Sequence, residues 1–126
     1  MNLNPISPYP NQKAKEEILN TDYIVIGPGS LFTSIIPNFL VPEISEYIKK
    51  SSAKKIYICN IATQLGETNG FDACDHVQTL LDYSDNLKLD YIIVNNNIGN
   101  LGEGFPTSKC VEIGNLKEEW GEVILK

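Results

Sequence analysis

Three stretches of the chain are apolar at consecutive positions, not at alternate ones: "DYIVIG" (Asp22 to Gly27), "KKIYICN" (Lys54 to Asn60) and "DYIIVNN" (Asp90 to Asn96). Each is rich in Ile, Val and Tyr and stops at small or polar residues, the pattern of strands buried on both faces of a parallel sheet. The segments between them carry a helical period instead. In "NFLVPEISEYIKKSSAK", Pro42 suits a first helical turn, and Ile44, Ile48 and the aliphatic stem of Lys49 fall on neighbouring positions. In "DACDHVQTLLDYSDN", Asp72 can cap a helix, Asp75 sits three residues on near its positive end, and Val77, Leu80 and Leu81 form the buried stripe. The expected order is β-α-β-α-β: an α/β fold, Rossmann-like and doubly wound, with a mostly parallel sheet and right-handed crossovers.

The flanks are simpler. Pro5, Pro8 and Pro10 make residues 1–10 an extended connector. Asn11 to Asn20 favours a short helix with Asn11 as its cap, and the core runs over 11–97. Residues 98–126 read as a Gly-rich loop, a weak strand at Cys110 to Ile113, a short helix near Leu116 to Trp120 and a last strand at Glu122 to Leu125. Nothing follows that strand to complete the sheet, so a single but incomplete domain is expected.

With 42% hydrophobic residues among 126, the chain has the make-up of an ordinary globular domain able to build one core unaided. Its formal charge of -6 leaves no basic stripe to neutralise a nucleic-acid backbone, which argues against such a partner. No apolar run reaches the roughly 20 residues that span a bilayer, and the N-terminus does not read as a signal peptide, so no membrane role is expected. Cys59, Cys74 and Cys110 are odd in number and widely spaced, which suits a reducing cytoplasm better than a disulfide framework.

Ligands of open α/β sheets bind beyond the carboxyl ends of the strands. After the first strand stands "GPGSLFTS", where Gly27 and Gly29 permit close backbone approach and the hydroxyls of Ser30, Thr33 and Ser34 can donate to an anion. The loop fits neither GxGxxG, which would need glycine in place of Phe32, nor the Walker A pattern; a plain turn is the competing reading. After the second strand, the long "NIATQLGETNG" presents Asn60, Thr63, Gln64, Glu67, Thr68 and Asn69, either as ligand contacts or as a solvated turn. Glu67 with Asp72 or Asp75 can hold Mg²⁺, or the aspartates can simply cap the helix. His76 can be a base or a hydrogen-bonded structural residue. No Ser/His/Asp or Cys/His set assembles, because Cys59 falls inside a strand.

Taken in order, "DYIVIGPGSLFTSIIPNFLVPEI" (Asp22 to Ile44), "KIYICNIATQLGETNGFDACDHVQTLL" (Lys55 to Leu81) and "DYIIVNNN" (Asp90 to Asn97) resemble the YvcK-like gluconeogenesis factors of the CofD-like family, which also contains the 2-phospho-L-lactate transferases. Gly27-Pro28-Gly29-Ser30-Leu31 is similar to the gluconeogenesis-factor form of the loop, not to the transferase form. Phe32, Leu65 and Glu43 depart from the usual Tyr, Pro and Gly. Family members are considerably longer, so the resemblance implies a central to C-terminal portion of the fold, without an N-terminal Gly-rich turn and acidic residues or an arginine beyond the last strand.

The resemblance further implies a cytoplasmic, regulatory protein that binds a nucleotide-sugar such as UDP-N-acetylglucosamine, with Mg²⁺ as the cation its diphosphate would bring. Such proteins support cell shape and growth on gluconeogenic carbon sources. The ligand would meet Gly27, Pro28, Gly29, Ser30, Leu31, Thr33, Ser34, Asn60, Thr63, Gln64, Glu67 and Asn95. A transferase and a non-functional fragment are the alternatives, and either a homodimer or pairing with the missing half of the fold would complete the sheet.

Overall fold

The computed structural model describes residues 9–96 and 110–125. Helix α1 (Gln12–Asn20) is capped by Asn11, whose side chain accepts from the amides of Lys13 and Ala14, and it leads into strand β1 (Tyr23–Ile26). A π-helical turn (Leu31–Ile35) then runs without a break into α2 (Ile36–Phe39). Helix α3 (Pro42–Lys50) follows, with proline in its first turn, Glu43 at its positive end and Lys49 and Lys50 at its negative end. After β2 (Lys54–Ile58) come α4 (Ala73–Tyr83), β3 (Tyr91–Val94), a 3-10 turn (Glu118–Trp120) and β4 (Glu122–Leu125).

All four strands are parallel, in the order β1-β2-β3-β4. An order that always steps in one direction, joined by right-handed crossovers, puts every connecting helix on the same face. The helices accordingly pack on one another, α1 and α2 against α3 and α2 against α4. Within the described residues the sheet therefore carries one helical layer, which is one half of a doubly wound arrangement.

The register shows which side chains share that covered face. Ile26, Tyr57, Ile92 and Val94 are aligned across neighbouring strands and buried, and they meet Ile48, Val77, Leu80 and Leu81 from the helices. Tyr57 lies so deep that burial pushes its phenol well above the ordinary tyrosine value. Lys55, also on this side, is buried at the sheet's lower edge, and its ammonium donates to the carbonyls of Ser51 (2.9 Å) and Ala53 (3.3 Å). These carbonyls supply hydrogen-bond acceptors to the buried amino group.

Two expectations are revised here. The eight residues from Gly27 to Ser34 are not all loop: only the first four are, since the chain is helical from Leu31. The segment Cys110 to Ile113 forms no strand of the sheet; Cys110 makes an isolated antiparallel bridge to Ala62. Pro5, Pro8 and the Gly-rich loop lie outside the described residues.

Candidate functional site

The ends of β1, β2 and β3 open onto one edge of the sheet, and two long-range bonds tie the first two loops together there. The Gly29 amide donates to Asn60 Oδ1 at 3.0 Å, and the Ser30 hydroxyl donates to Glu67 Oε2 at 2.8 Å. Thr33 in turn donates through a short hydrogen bond to Ser30 Oγ. Gly27 sets the geometry. Its φ is +86°, and a Cβ there would stand 2.6 Å from the Ile58 carbonyl, so only glycine lets the turn lie against the end of β2. The following peptide, Gly27-Pro28, is cis.

Helix begins directly after this turn. The Ser30 carbonyl accepts from the amides of Ser34 (2.9 Å) and Ile35 (3.1 Å), which leaves the amides of Leu31, Phe32 and Thr33 as first-turn donors with no helical acceptor. These are the donors that helix geometry directs toward an incoming anion. The hydroxyls that the sequence suggested for that task, on Ser30 and Thr33, are committed to Glu67 and to each other. Leu31 is fully buried, backbone included, so Phe32 and Thr33 are the first-turn residues with solvent-facing surface. Ser34 is exposed, and its carbonyl accepts from Asn38.

The second loop is wound around Thr68, which the sequence offered as a polar loop residue and the structure buries. Thr68 is inaccessible to solvent; its hydroxyl accepts from the Gln64 amide (2.8 Å), and its own amide donates to the Gln64 carbonyl (2.9 Å). This closure holds Glu67 facing Ser30, while Asn69 Oδ1 takes the Gly66 amide at 2.6 Å. Thr63 is buried, the Gln64 side chain is exposed, and Asn95 is half-buried at the end of β3. The bond lengths place Gly29, Ser30, Thr33, Asn60 and Glu67 in one cluster.

The C-terminal strap stiffens the same loop from behind. The Val111 amide donates to the Ile61 carbonyl (2.7 Å) and the Ala73 amide to the Glu112 carbonyl (2.6 Å). Gly114 lies against the Asp72 carboxylate so closely that a Cβ would collide with it. The alternate apolar positions Val111 and Ile113 were the available signal, but nothing local told which loop they would cover.

Asp72 and Asp75 form a reciprocal capping box: the Asp75 amide donates to Asp72 Oδ1 at 2.8 Å and the Asp72 amide to Asp75 Oδ2 at 3.0 Å. Both carboxylates serve the helix cap, and among the described residues no group of three or more His, Cys, Asp or Glu could hold a metal ion. Glu67 by itself does not make a Mg²⁺ site. His76 is buried in the first turn of α4, with Nδ1 2.8 Å from the Asp72 carbonyl and its ring edge-on to Phe71. That is a structural setting. Cys59 is buried, and desolvation pushes its thiol up to about 12, which keeps it protonated and unreactive.

The model of the 2-phospho-L-lactate transferase family CofD matches residues 1–103, and this span contains both loops and all of the cluster. The chain belongs to the CofD family. It is 44% identical over 123 residues to the gluconeogenesis factor of Halalkalibacterium halodurans, a match that takes in 98% of this chain and 36% of that protein. A crystal structure of a Bacillus halodurans protein superposes with a TM-score of 0.89 at 38% identity, covering 99% of this chain and 42% of the other. A second crystal structure from that organism, of a UPF0052 family member, gives 0.83 at 38% identity over 93% and 40%. This CofD-family chain thus spans about a third of the length of that curated relative. No helix among its described residues is long and apolar enough to cross a membrane.

Proposed function

We propose that this chain forms one wall of a nucleotide-sugar site, with the diphosphate of a UDP-N-acetylglucosamine-like ligand against the turn from Gly27 to Ser34. The observation that carries the proposal is the lacing of Gly29 to Asn60 and of Ser30 to Glu67. It fixes the turn so that the first-turn amides of Phe32 and Thr33 stand ready as donors beyond the strand ends. Thr63, Gln64 and Asn95 border the same edge. The role is binding and regulation in the cytoplasm, in support of growth on gluconeogenic carbon sources and of cell shape, with no reaction assigned to the cluster. Nucleic acid and membrane are not partners in this reading. Any Mg²⁺ would arrive with the diphosphate, because the described residues assemble no cage for it.

Calorimetric titration with UDP-N-acetylglucosamine, UDP and free N-acetylglucosamine tests this directly. Binding of the first two is expected, and Ser30→Ala should weaken it about tenfold by freeing the turn from Glu67, on the order of one hydrogen bond. Absence of heat at millimolar UDP-N-acetylglucosamine, or the same affinity in Ser30→Ala, would reject the proposal. The family match to 2-phospho-L-lactate transferase supports a second reading, transfer of a phosphoryl-linked group to a hydroxyl acceptor. Product formation from a nucleotide-linked donor would favour it.

A further inference from the structure

The hydrogen bonds that lace the two loops together also fix which way each hydroxyl points. A serine or threonine hydroxyl has one proton to give and lone pairs with which to accept, whereas a carboxylate only accepts. Ser30 gives its proton to Glu67 Oε2, at 2.8 Å, so toward Thr33 it can only accept. Thr33 therefore gives its own proton to Ser30 Oγ. The three groups form a chain with one direction, from Thr33 through Ser30 to Glu67, and the carboxylate at its far end sets that direction.

At the outer end of the chain Thr33 is exposed, and its Oγ1 has only lone pairs left. A second polarity lies beside this one. The first-turn amides of Phe32 and Thr33 are donors with no helical acceptor, so Thr33 carries a donor on its backbone and an acceptor on its side chain. The amides suit the oxygens of a diphosphate, which have no proton to offer. Thr33 Oγ1 suits the reverse partner, a group with an O–H or N–H of its own. A phosphate oxygen set against it would bring lone pairs to lone pairs.

We propose that, resting on the nucleotide-sugar reading above, Thr33 Oγ1 is an acceptor subsite for the sugar and takes a hydroxyl or amide proton from it. Ser30 and Glu67 hold Thr33 in that polarity, and the diphosphate is left to the amides of Phe32 and Thr33. This reverses the part expected of hydroxyls in such a loop, which is to donate to an anion. Thr33 thereby becomes a determinant of specificity. A ligand with phosphate but no neighbouring proton donor leaves Oγ1 unpaired, and a ligand that offers one is favoured. Amide and hydroxyl belong to the same residue, which matches a phosphate bonded directly to the sugar it carries. Glu67 acts through Ser30 as a positioning residue and need not touch the ligand.

The test is calorimetric titration of the chain and of Thr33→Val with UDP-N-acetylglucosamine and with UDP, each in the presence and absence of Mg²⁺. Valine keeps the shape of threonine and removes the oxygen. UDP-N-acetylglucosamine should bind Thr33→Val about tenfold more weakly, the effect of losing one hydrogen bond, while UDP should stay within about twofold of the parent. Thr33→Ser, which keeps the hydroxyl, should restore most of the lost affinity. Equal weakening of both ligands would mean that Thr33 serves the diphosphate, and overturns the proposal. So does a loss for UDP that appears only with Mg²⁺, which would assign Oγ1 to metal-bound water. A measurement without ligand checks the polarity itself. The Ser30 and Thr33 hydroxyl protons, both held in hydrogen bonds, should exchange with water slowly enough to be seen by NMR, and Thr33→Val should remove one of them. Rapid exchange of the Thr33 proton overturns the direction of the chain. Absence of binding by either nucleotide rejects the nucleotide-sugar reading and the sugar as occupant, whereas the acceptor polarity of Thr33 stands or falls on the hydroxyl protons.

Discussion

The two faces of this sheet are made from the same kinds of residue and end in opposite circumstances. On one, Ile26, Tyr57, Ile92 and Val94 vanish under a layer of helices; on the other, Tyr23 and Val25 remain more than half exposed, and Ile56, Ile58 and Ile93 are half-buried. A strand sequence without alternation records that both faces were meant to be covered. It does not record what covers them. The difference teaches that the covered face is where stability should be concentrated, and that the bare face should tolerate substitution.

Substitutions on the two faces put that contrast at risk. Ile92→Ala, in the middle of the covered face, should lower the unfolding free energy by about 2–5 kcal/mol, whereas Val25→Ala should change it by less than about 0.5 kcal/mol. Urea denaturation of the two variants measures both, and a similar loss in each would erase the distinction. Gly27→Ala, at the end of the edge strand, should cost about 1–3 kcal/mol from its positive φ, with further loss from the collision with Ile58. It should also loosen the Gly29–Asn60 bond; a chain as stable as the parent would show that the turn is not built as described.

The smallest expected effect is a titration. Cys59 lies at the end of β2 on the covered side, and its thiol is pushed up to about 12 by burial, from an ordinary 9.0. A raised folded value means that the contribution is fully present below pH 9 and is lost as pH climbs from there toward 12, because the unfolded thiol ionises first. Between pH 8 and 10, the fall in stability should be shallower in Cys59→Ala. In the native chain a thiol reagent at pH 8 should modify Cys74 and Cys110 well before Cys59, and prompt labelling of Cys59 would contradict its burial.

How legible each region was in the sequence follows from what held it. Helix α4 was readable because its capping box and its Val77, Leu80 and Leu81 stripe are local and periodic, and the structure keeps them. The same is true of α1 with its Asn11 cap, and of strands β1, β2, β3 and β4. The helix after the first turn was not read, because β-branched residues and Pro37 lower its propensity and Gly-Pro-Gly draws attention to a loop. A signal was present: Leu31, Ile35, Ile36 and Phe39, all buried, recur at helical spacing. Within the candidate site, the residue types of Ser30, Thr33, Asn60, Glu67 and Thr68 marked them, but nothing local showed that Thr68 would be buried or that the segment from Val111 to Gly114 would lie against this loop.

Sequence by itself determined the strands, the capped helices and the place where loops meet at the strand ends, since turn chemistry, caps and period act within a few residues of chain. Tertiary structure alone decided that Ser30 faces Glu67, that Asn60 holds Gly29, and that every described helix lies on one side of the sheet. Those outcomes depend on strand order and register, which bring together residues more than thirty positions apart. They depend equally on the burial that makes each such contact worth forming.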